Sequence, residues 1–154
     1  MWSLALESPR QPEVLRLLDE LDAYQKPLSP PESFHGVDVD SLCAAEVSFL
    51  VLRDAAGQAQ GCGGVWIGEI DGFRAGELKR LFVRPALRGQ GAAKNLVGEL
   101  ERIAGERGAD WMFLETGVRQ IEAVGLYERL GYEHGAPFGD YQADPHSAFM
   151  RKRL

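Results

Sequence analysis

"RLFVRPALRGQGAAKNL", residues 80–96, decides how this chain is read. A strand-forming run stops at Pro85, two glycines follow at 89 and 91, and a helical pattern starts at once. Glycines between a strand and a helix let the backbone come close to something. The N-terminus of a helix leaves N–H groups unpaired and carries about half a positive charge, so a phosphate is the natural guest. Gly89 and Gly91 remove side chains that would hold a ligand away, and Ala92 and Ala93 keep the first helical turn small. Arg88 stands at the lip, where a guanidinium can pair with a phosphate oxygen. Taken alone, such a loop also reads as an ordinary glycine turn capping a helix, so its surroundings have to choose.

On the N-terminal side, WSLALES reads as a first strand closed by Pro9. From Gln11 a helix follows, with Val14, Leu15, Leu17, Leu18 and Leu21 on its apolar face, ending before Pro27. KPLSPPESFHGVD is an irregular, proline-rich connection, and Asp40 is placed to cap a short helix over Ser41 to Ala45. EVSFLVLRD, AQGCGGVWIGEID and GELKRLFVRP are strands joined by the turns AAGQ and GFRAG, which makes them antiparallel neighbours. Beyond the quoted loop, Leu96, Val97, Leu100, Ile103 and Ala104 share one helix face, and Gly108 suits the position just past its end. WMFL within DWMFLET is a strand buried on both faces. Gln120 to Leu130 is another helix, stopped by Gly131, and the tail forms two strands around a turn-rich loop. The expected fold is α/β (α+β): one domain over residues 1–154, a mixed, mostly antiparallel sheet with helices packed on it.

Charge and cysteine content narrow the function. A net charge of −6 argues against a duplex-binding surface, which needs dense positive charge. The basic residues that do cluster, Lys79, Arg80, Arg84 and Arg88, flank the loop. Cys43 and Cys62 stand far apart, which suits two reduced, partly buried thiols rather than a disulfide framework or a zinc site. The first residues lack the basic start and long apolar run of a signal peptide or spanning helix. A cytoplasmic protein with no metal, nucleic-acid or membrane partner is expected, and a homodimer is left open.

Three kinds of phosphate loop can be compared. A Walker loop needs G-x-x-x-x-G-K-[ST], which is absent. A dinucleotide fingerprint needs a third glycine where Lys94 stands, although Glu115 ends the next strand at a suitable distance. Antiparallel strands and the charged Lys79–Arg80 pair leading into the loop argue against that option. The third kind is R-x-x-G-x-A, satisfied by Arg88, Gly91 and Ala93 directly after a strand.

On these residues the chain resembles the GNAT N-acetyltransferases, whose R/Q-x-x-G-x-G/A loop wraps the pyrophosphate of acetyl-coenzyme A. LKRLFVRPALRGQGAAKNLVGELERIAGERGADWMFLETG is similar to the whole cofactor segment of that family, and EAVGLYERLGYE to the segment after it. Together they span about Glu77 to Glu133. The resemblance implies that Arg88, Gly89, Gln90, Gly91, Ala92 and Ala93 cradle the pyrophosphate. It also implies that the backbone of Leu81, Phe82 and Val83, on a splayed strand, pairs with the pantetheine arm. Tyr127, in the pattern L-Y-x-x-x-G-[FY], takes the place of the general acid that protonates the departing thiolate, and otherwise reads as a core aromatic. Gln120 stands where many members carry a cofactor-contacting asparagine. Glu77, at the start of the cofactor strand, takes the place of a general base, with Glu115 as the alternative.

For the acceptor, Tyr24, Glu32, Ser33 and His35 on one side and Tyr141, Asp144, His146 and Ser147 on the other suggest a small polar amine; His35 reads as structural. The closing stretch also resembles a bacterial subgroup that brings no acceptor with it. The expected activity is acetyl transfer from acetyl-coenzyme A to a primary amine by direct attack. The alternative is a non-catalytic acyl-coenzyme A or nucleotide sensor on the same scaffold.

Overall fold

Two-residue periodicity and tight turns join three consecutive strands into the middle of the sheet. The computed structural model describes residues 1–35 and 37–154; Gly36, in the proline-rich connection, lies outside them. Strand β1 (Ser3–Leu6) pairs antiparallel with β2 (Val47–Arg53), β2 with β3 (Ala59–Ile70) and β3 with β4 (Phe73–Val83). The β3–β4 hairpin turns on Asp71 and Gly72 alone, at φ 51° and 85°. This is the two-residue turn whose twist suits paired strands. The turn expected over GFRAG is therefore shorter, and Phe73 to Gly76 already belong to β4.

Helix α1 (Pro12–Gln25) opens on a proline at its first position, where no N–H is missed, and buries Val14, Leu17, Leu18 and Leu21. Helix α2 (Val39–Leu42) is a single turn. Its cap is Asp38, whose Oδ1 accepts from the Ser41 N–H at 2.8 Å. The expected cap, Asp40, instead sits within that turn and pairs with Arg10. Helix α3 (Ala92–Glu106) leads to β5 (Trp111–Gly117), parallel to β4; then come α4 (Ile121–Arg129), β6 (Glu133–His134) and β7 (Ser147–Arg153). The sheet runs β1-β2-β3-β4-β5-β7-β6, and only its β4–β5 contact is parallel.

One sheet face packs under α3 and α4. Leu96, Val97, Leu100 and Ala104 meet Val65, Leu78, Met112, Leu114 and Met150 there. Burying a large apolar side chain of this kind stabilises the fold by about 1.5–3 kcal/mol. On the other face α1 and α2 cover Phe49, Val51, Cys62 and Phe82, and an aromatic cluster of Phe113, Phe138 and Phe149 covers the rest. Cys62 is buried, which pushes its thiol pKa up to about 12, whereas Cys43 is exposed rather than partly buried.

Two irregularities in β4 open the middle of the sheet. It pairs with β5 only at Ala75–Trp111, Gly76–Met112 and Glu77–Phe113, after which the two strands separate. The register against β3 also slips between Cys62 and Gly64, leaving Arg80 and Leu81 opposite Gly63 as a bulge. Arg80 is left-handed at φ 54°, a conformation that costs a non-glycine residue about 1–2 kcal/mol. Its side chain, only 6% exposed, is anchored in α1. Nη2 donates to Asp22 Oδ1 at 2.5 Å and to the Leu18 carbonyl at 3.1 Å, and Nη1 to Gln25 Oε1 at 3.4 Å.

Candidate active site

Where β4 parts from β5, a cavity lies on either side of the gap. The larger is a groove of about 910 Å³ running between Leu81–Val83, the loop at 88–94 and α4. At its head the glycine loop has the expected geometry. Gly89 and Gly91 lie at φ 80° and 77°, and Gly91 is the N-cap of α3 with no side chain capping the helix. A Cβ added at either glycine would meet almost nothing of the protein, so the space above the helix mouth is open. Ala92 is buried beneath the loop and Ala93 half-buried.

Arg88 holds the lip. Its Nε donates to the Val83 carbonyl at 3.1 Å, and Nη1 lies 3.8 Å from Glu122 in the first turn of α4. Gln90 braces the loop by donating to the Ala86 carbonyl at 3.2 Å and is not a wall of the groove. Lys94, which by sequence only spoils a dinucleotide fingerprint, does line it. Uncapped N–H groups, an open approach and two cations at the mouth suit a polyanion. They fit the pyrophosphate of a coenzyme A, with its arm along the free edge of Leu81 to Val83.

The smaller cavity, about 90 Å³, sits among Ser33, His35, Glu77, Lys79, Glu115 and Tyr141. Tyr127, Leu81, Gln120 and Ala123 line both cavities, so the phenol of Tyr127 stands at their junction. Tyr127 packs edge-on to Tyr132 at 5.8 Å between ring centres. Burial pushes its pKa well above the usual phenol value, so it keeps its proton at neutral pH. Gln120 is buried, and its Oε1 accepts from Gln25 Nε2 at 3.3 Å, tying α4 to α1 across the opening.

Glu77 is the last β4 residue paired with β5 and lies mid-strand, not at the start expected for it. It is also buried, at 9% exposure. Its Oε2 accepts from Lys79 Nζ and from the Tyr141 hydroxyl, both at 2.8 Å. Glu115, on the facing wall, accepts from Ser147 Oγ at 2.8 Å and has no ion-pair partner among the described residues. Burial raises its pKa, and the negative charge of Glu77 adds to this, against partial relief from Ser147, His35 and Lys79.

The acceptor-side residues divide. Ser33, His35 and Tyr141 line the small cavity, with the His35 ring edge-on to Tyr141 at 5.1 Å. Tyr24 lines the larger groove instead, Glu32 is exposed, and Asp144 receives the His146 N–H in the turn before β7. Sequence reasoning missed Gln25, Lys79 and Arg80 as site residues. For the two cations their position beside Glu77 was the available signal. Among the described residues no group of three or more His, Cys, Asp or Glu side chains could hold a metal ion, and no helix is long and apolar enough to cross a membrane.

Residues 15–132 match the profile of the Acetyltransferase (GNAT) family. The chain belongs to that family. An IAA acetyltransferase of Azospirillum brasilense is 40% identical over 152 residues, 99% of this chain and 97% of that protein. YsnE of Bacillus subtilis, named an uncharacterized N-acetyltransferase, is 33% identical across 92% of this chain and 93% of its own. Among solved structures, a candidate acyl-CoA N-acyltransferase of Klebsiella pneumoniae superposes with a TM-score of 0.82 at 33% identity, covering 100% of this chain and 98% of that one. PaiA N-acetyltransferase from Thermoplasma acidophilum, solved with coenzyme A, shares the fold at a TM-score of 0.70 and 16% identity, covering 100% and 99%. The family takes acyl-coenzyme A, and the mixed sheet with its splayed centre is the fold expected from the sequence.

Proposed function

We propose that the protein transfers an acetyl group from acetyl-coenzyme A to the primary amine of a small polar acceptor in the cytoplasm. The observation that carries this is the position of Tyr127, a protonated phenol shared by the walls of an anion-binding groove and a polar cavity. Arg88 to Ala93 would hold the pyrophosphate and Leu81 to Val83 the arm, with Gln90 serving as a brace for the loop. Acetyl-coenzyme A supplies the acetyl group as an activated thioester.

The chain's own residues then move two protons. An acceptor amine enters the small cavity as an ammonium and must lose a proton before it can attack. Glu77 receives that proton at Oε1, the oxygen left free by Lys79 and Tyr141. The new C–N bond forms as the C–S bond breaks, and the Tyr127 hydroxyl gives its proton to the departing sulfur. The second proton shed by the nitrogen as it becomes an amide returns to the Tyr127 oxygen. A sensor would need neither a buried carboxylate on the cavity wall nor a proton donor shared by both cavities.

Purified protein, acetyl-coenzyme A and a pool of primary amines provide the test. Release of free thiol that depends on the amines, with acetylated amine found by mass spectrometry, is the expected result. Coenzyme A binding without turnover of any amine would favour the sensor.

A further inference from the structure

We propose that the acceptor is an α-amino acid, bound through both its ammonium and its carboxylate by the Glu77–Lys79 ion pair. The proposal rests on the acetyl-transfer reading of the same cavity and narrows it.

Both partners of that ion pair keep unused capacity on the cavity side. Lys79 has three N–H donors; Glu77 Oε2 takes one at 2.8 Å, and no other acceptor is found for Nζ among the described residues. Glu77 Oε2 is saturated by Lys79 and the Tyr141 hydroxyl, while Oε1 has no partner there. Lys79 is 20% exposed and its Nζ lies 5.9 Å from the centre of the Tyr141 ring, which restricts where the ammonium can point. The wall thus presents a negative and a positive station side by side on one ion pair, each with room for one more partner.

An α-amino acid is the complementary dipole. Its ammonium nitrogen and carboxylate oxygens are also about one hydrogen-bond length apart, because both groups hang on one carbon. Laid head to tail on the wall, it puts its ammonium on Glu77 Oε1, where the proton has to leave, and its carboxylate on Lys79. A β- or γ-amino acid reaches both stations only by folding its longer chain back, which freezes further rotatable bonds and adds bulk in a small cavity.

A second cation stands on the same wall. Arg80 also lines the cavity, and its Nη atoms are taken by Asp22, Leu18 and Gln25. Its Nε is buried with no acceptor among the described residues. That N–H is closed to the cavity as well, so Arg80 brings positive charge to the wall and no direct contact to the guest. The cavity suits the size of such a guest, since about 90 Å³ holds several heavy atoms where one water needs roughly 10–15 Å³.

The test compares each common amino acid, in both enantiomers, with its carboxamide and its decarboxylated amine as acetyl acceptors. The carboxamide holds its amine proton less tightly, so intrinsic reactivity favours it, and a preference for the acid has to come from recognition. At least one amino acid is expected to exceed its carboxamide by about 10²-fold in kcat/KM, and β-alanine and γ-aminobutyrate should be poor acceptors. Lys79→Met should lower the acid-to-amide ratio by at least about tenfold with coenzyme A affinity unchanged, and Lys79→Arg should restore part of it. Using the ratio cancels any general damage to Glu77. Equal or better turnover of carboxamides or simple amines would overturn the amino-acid assignment and leave acetyl transfer standing. Failure of every amino acid in a protein that binds coenzyme A would also overturn it, and the broader amine pool would then decide the transfer reading by itself. A ratio unmoved in Lys79→Met would remove the ion pair from recognition and overturn the proposal.

Discussion

Replacing Gly91 by glutamate separates what the loop does for folding from what it does for binding. A Cβ at this position meets only Asn95 Nδ2, at 3.8 Å, so there is no clash to confuse the result. The backbone at φ 77° is strained for any other residue, at about 1–2 kcal/mol. For a chain of this size that corresponds to roughly 2–8 °C in Tm. Part of the loss is returned, because a carboxylate at an uncapped helix start is worth about 0.3–1 kcal/mol. The new side chain therefore serves the N–H groups that a pyrophosphate would use, and repels the phosphate itself.

Coenzyme A at 100 times its Kd should stabilise the wild type by about 2.7 kcal/mol, or roughly 5–11 °C. Thermal unfolding with and without coenzyme A reads both effects at once. Gly91→Ala carries the same strain without the charge and should keep a ligand-induced rise that Gly91→Glu loses. A folded Gly91→Glu protein with the full rise would refute the placement of the pyrophosphate at this helix.

Other substitutions address the remaining parts of the site. Tyr127→Phe keeps the ring against Tyr132 and should lower turnover by about 10²-fold with coenzyme A affinity little changed; full turnover with chemistry rate-limiting would return the tyrosine to a packing role. Glu77→Gln should slow the reaction at neutral pH, with the deficit closing as pH rises and more acceptor amine is already neutral. A rate ratio flat across that titration would pass the role of base to Glu115 or to a water chain with no dedicated carboxylate. Glu115→Gln should raise Tm at neutral pH. The raised pKa means that ionising Glu115 costs stability, so the benefit of removing the charge should fade as pH falls through the carboxylate range and the wild-type side chain becomes neutral. A Tm difference independent of pH would show that its charge is not destabilising. Asp22→Ala strips Arg80 of its counter-ion and should lower stability to urea by about 1–3 kcal/mol; an unmoved midpoint would mean the bulge holds without it.

The parts of this molecule that could be read in its sequence are those governed by neighbours in the chain. The loop at 88–91 is legible as a left-handed turn opening a helix, because its two glycines stand between a strand that stops at Pro85 and a helical repeat that starts at once. The face of α3 is legible because Leu96, Val97, Leu100, Ile103 and Ala104 recur with the helix period. Two local expectations failed where a choice between equivalent residues had to be made. Gly72 and Gly76 both looked like turn formers, and the Asp71–Gly72 pair alone closed the hairpin. Asp40 was the expected cap of α2, and Asp38 takes that place because its carboxylate reaches the Ser41 N–H. Contacts between distant segments left no trace at all. Arg80 meets Asp22 across 58 residues, and Tyr141 meets Glu77 across 64. No spacing encodes such meetings, so the walls of the small cavity emerged only once the sheet was folded.

Only three rungs join β4 to β5, a short seam at the centre of the sheet. Mechanically the molecule is two plates, β1 to β4 and β5 to β7, riveted at one end and held apart at the other. A pantetheine arm hydrogen-bonded along Leu81 to Val83 would act as a removable plank across that gap. Each turnover would then lift out a piece of the frame and set it back, so the stiffness of the whole chain would rise and fall with the catalytic cycle. Amide hydrogen exchange along β5, and not only at the glycine loop, should therefore slow when the groove is filled.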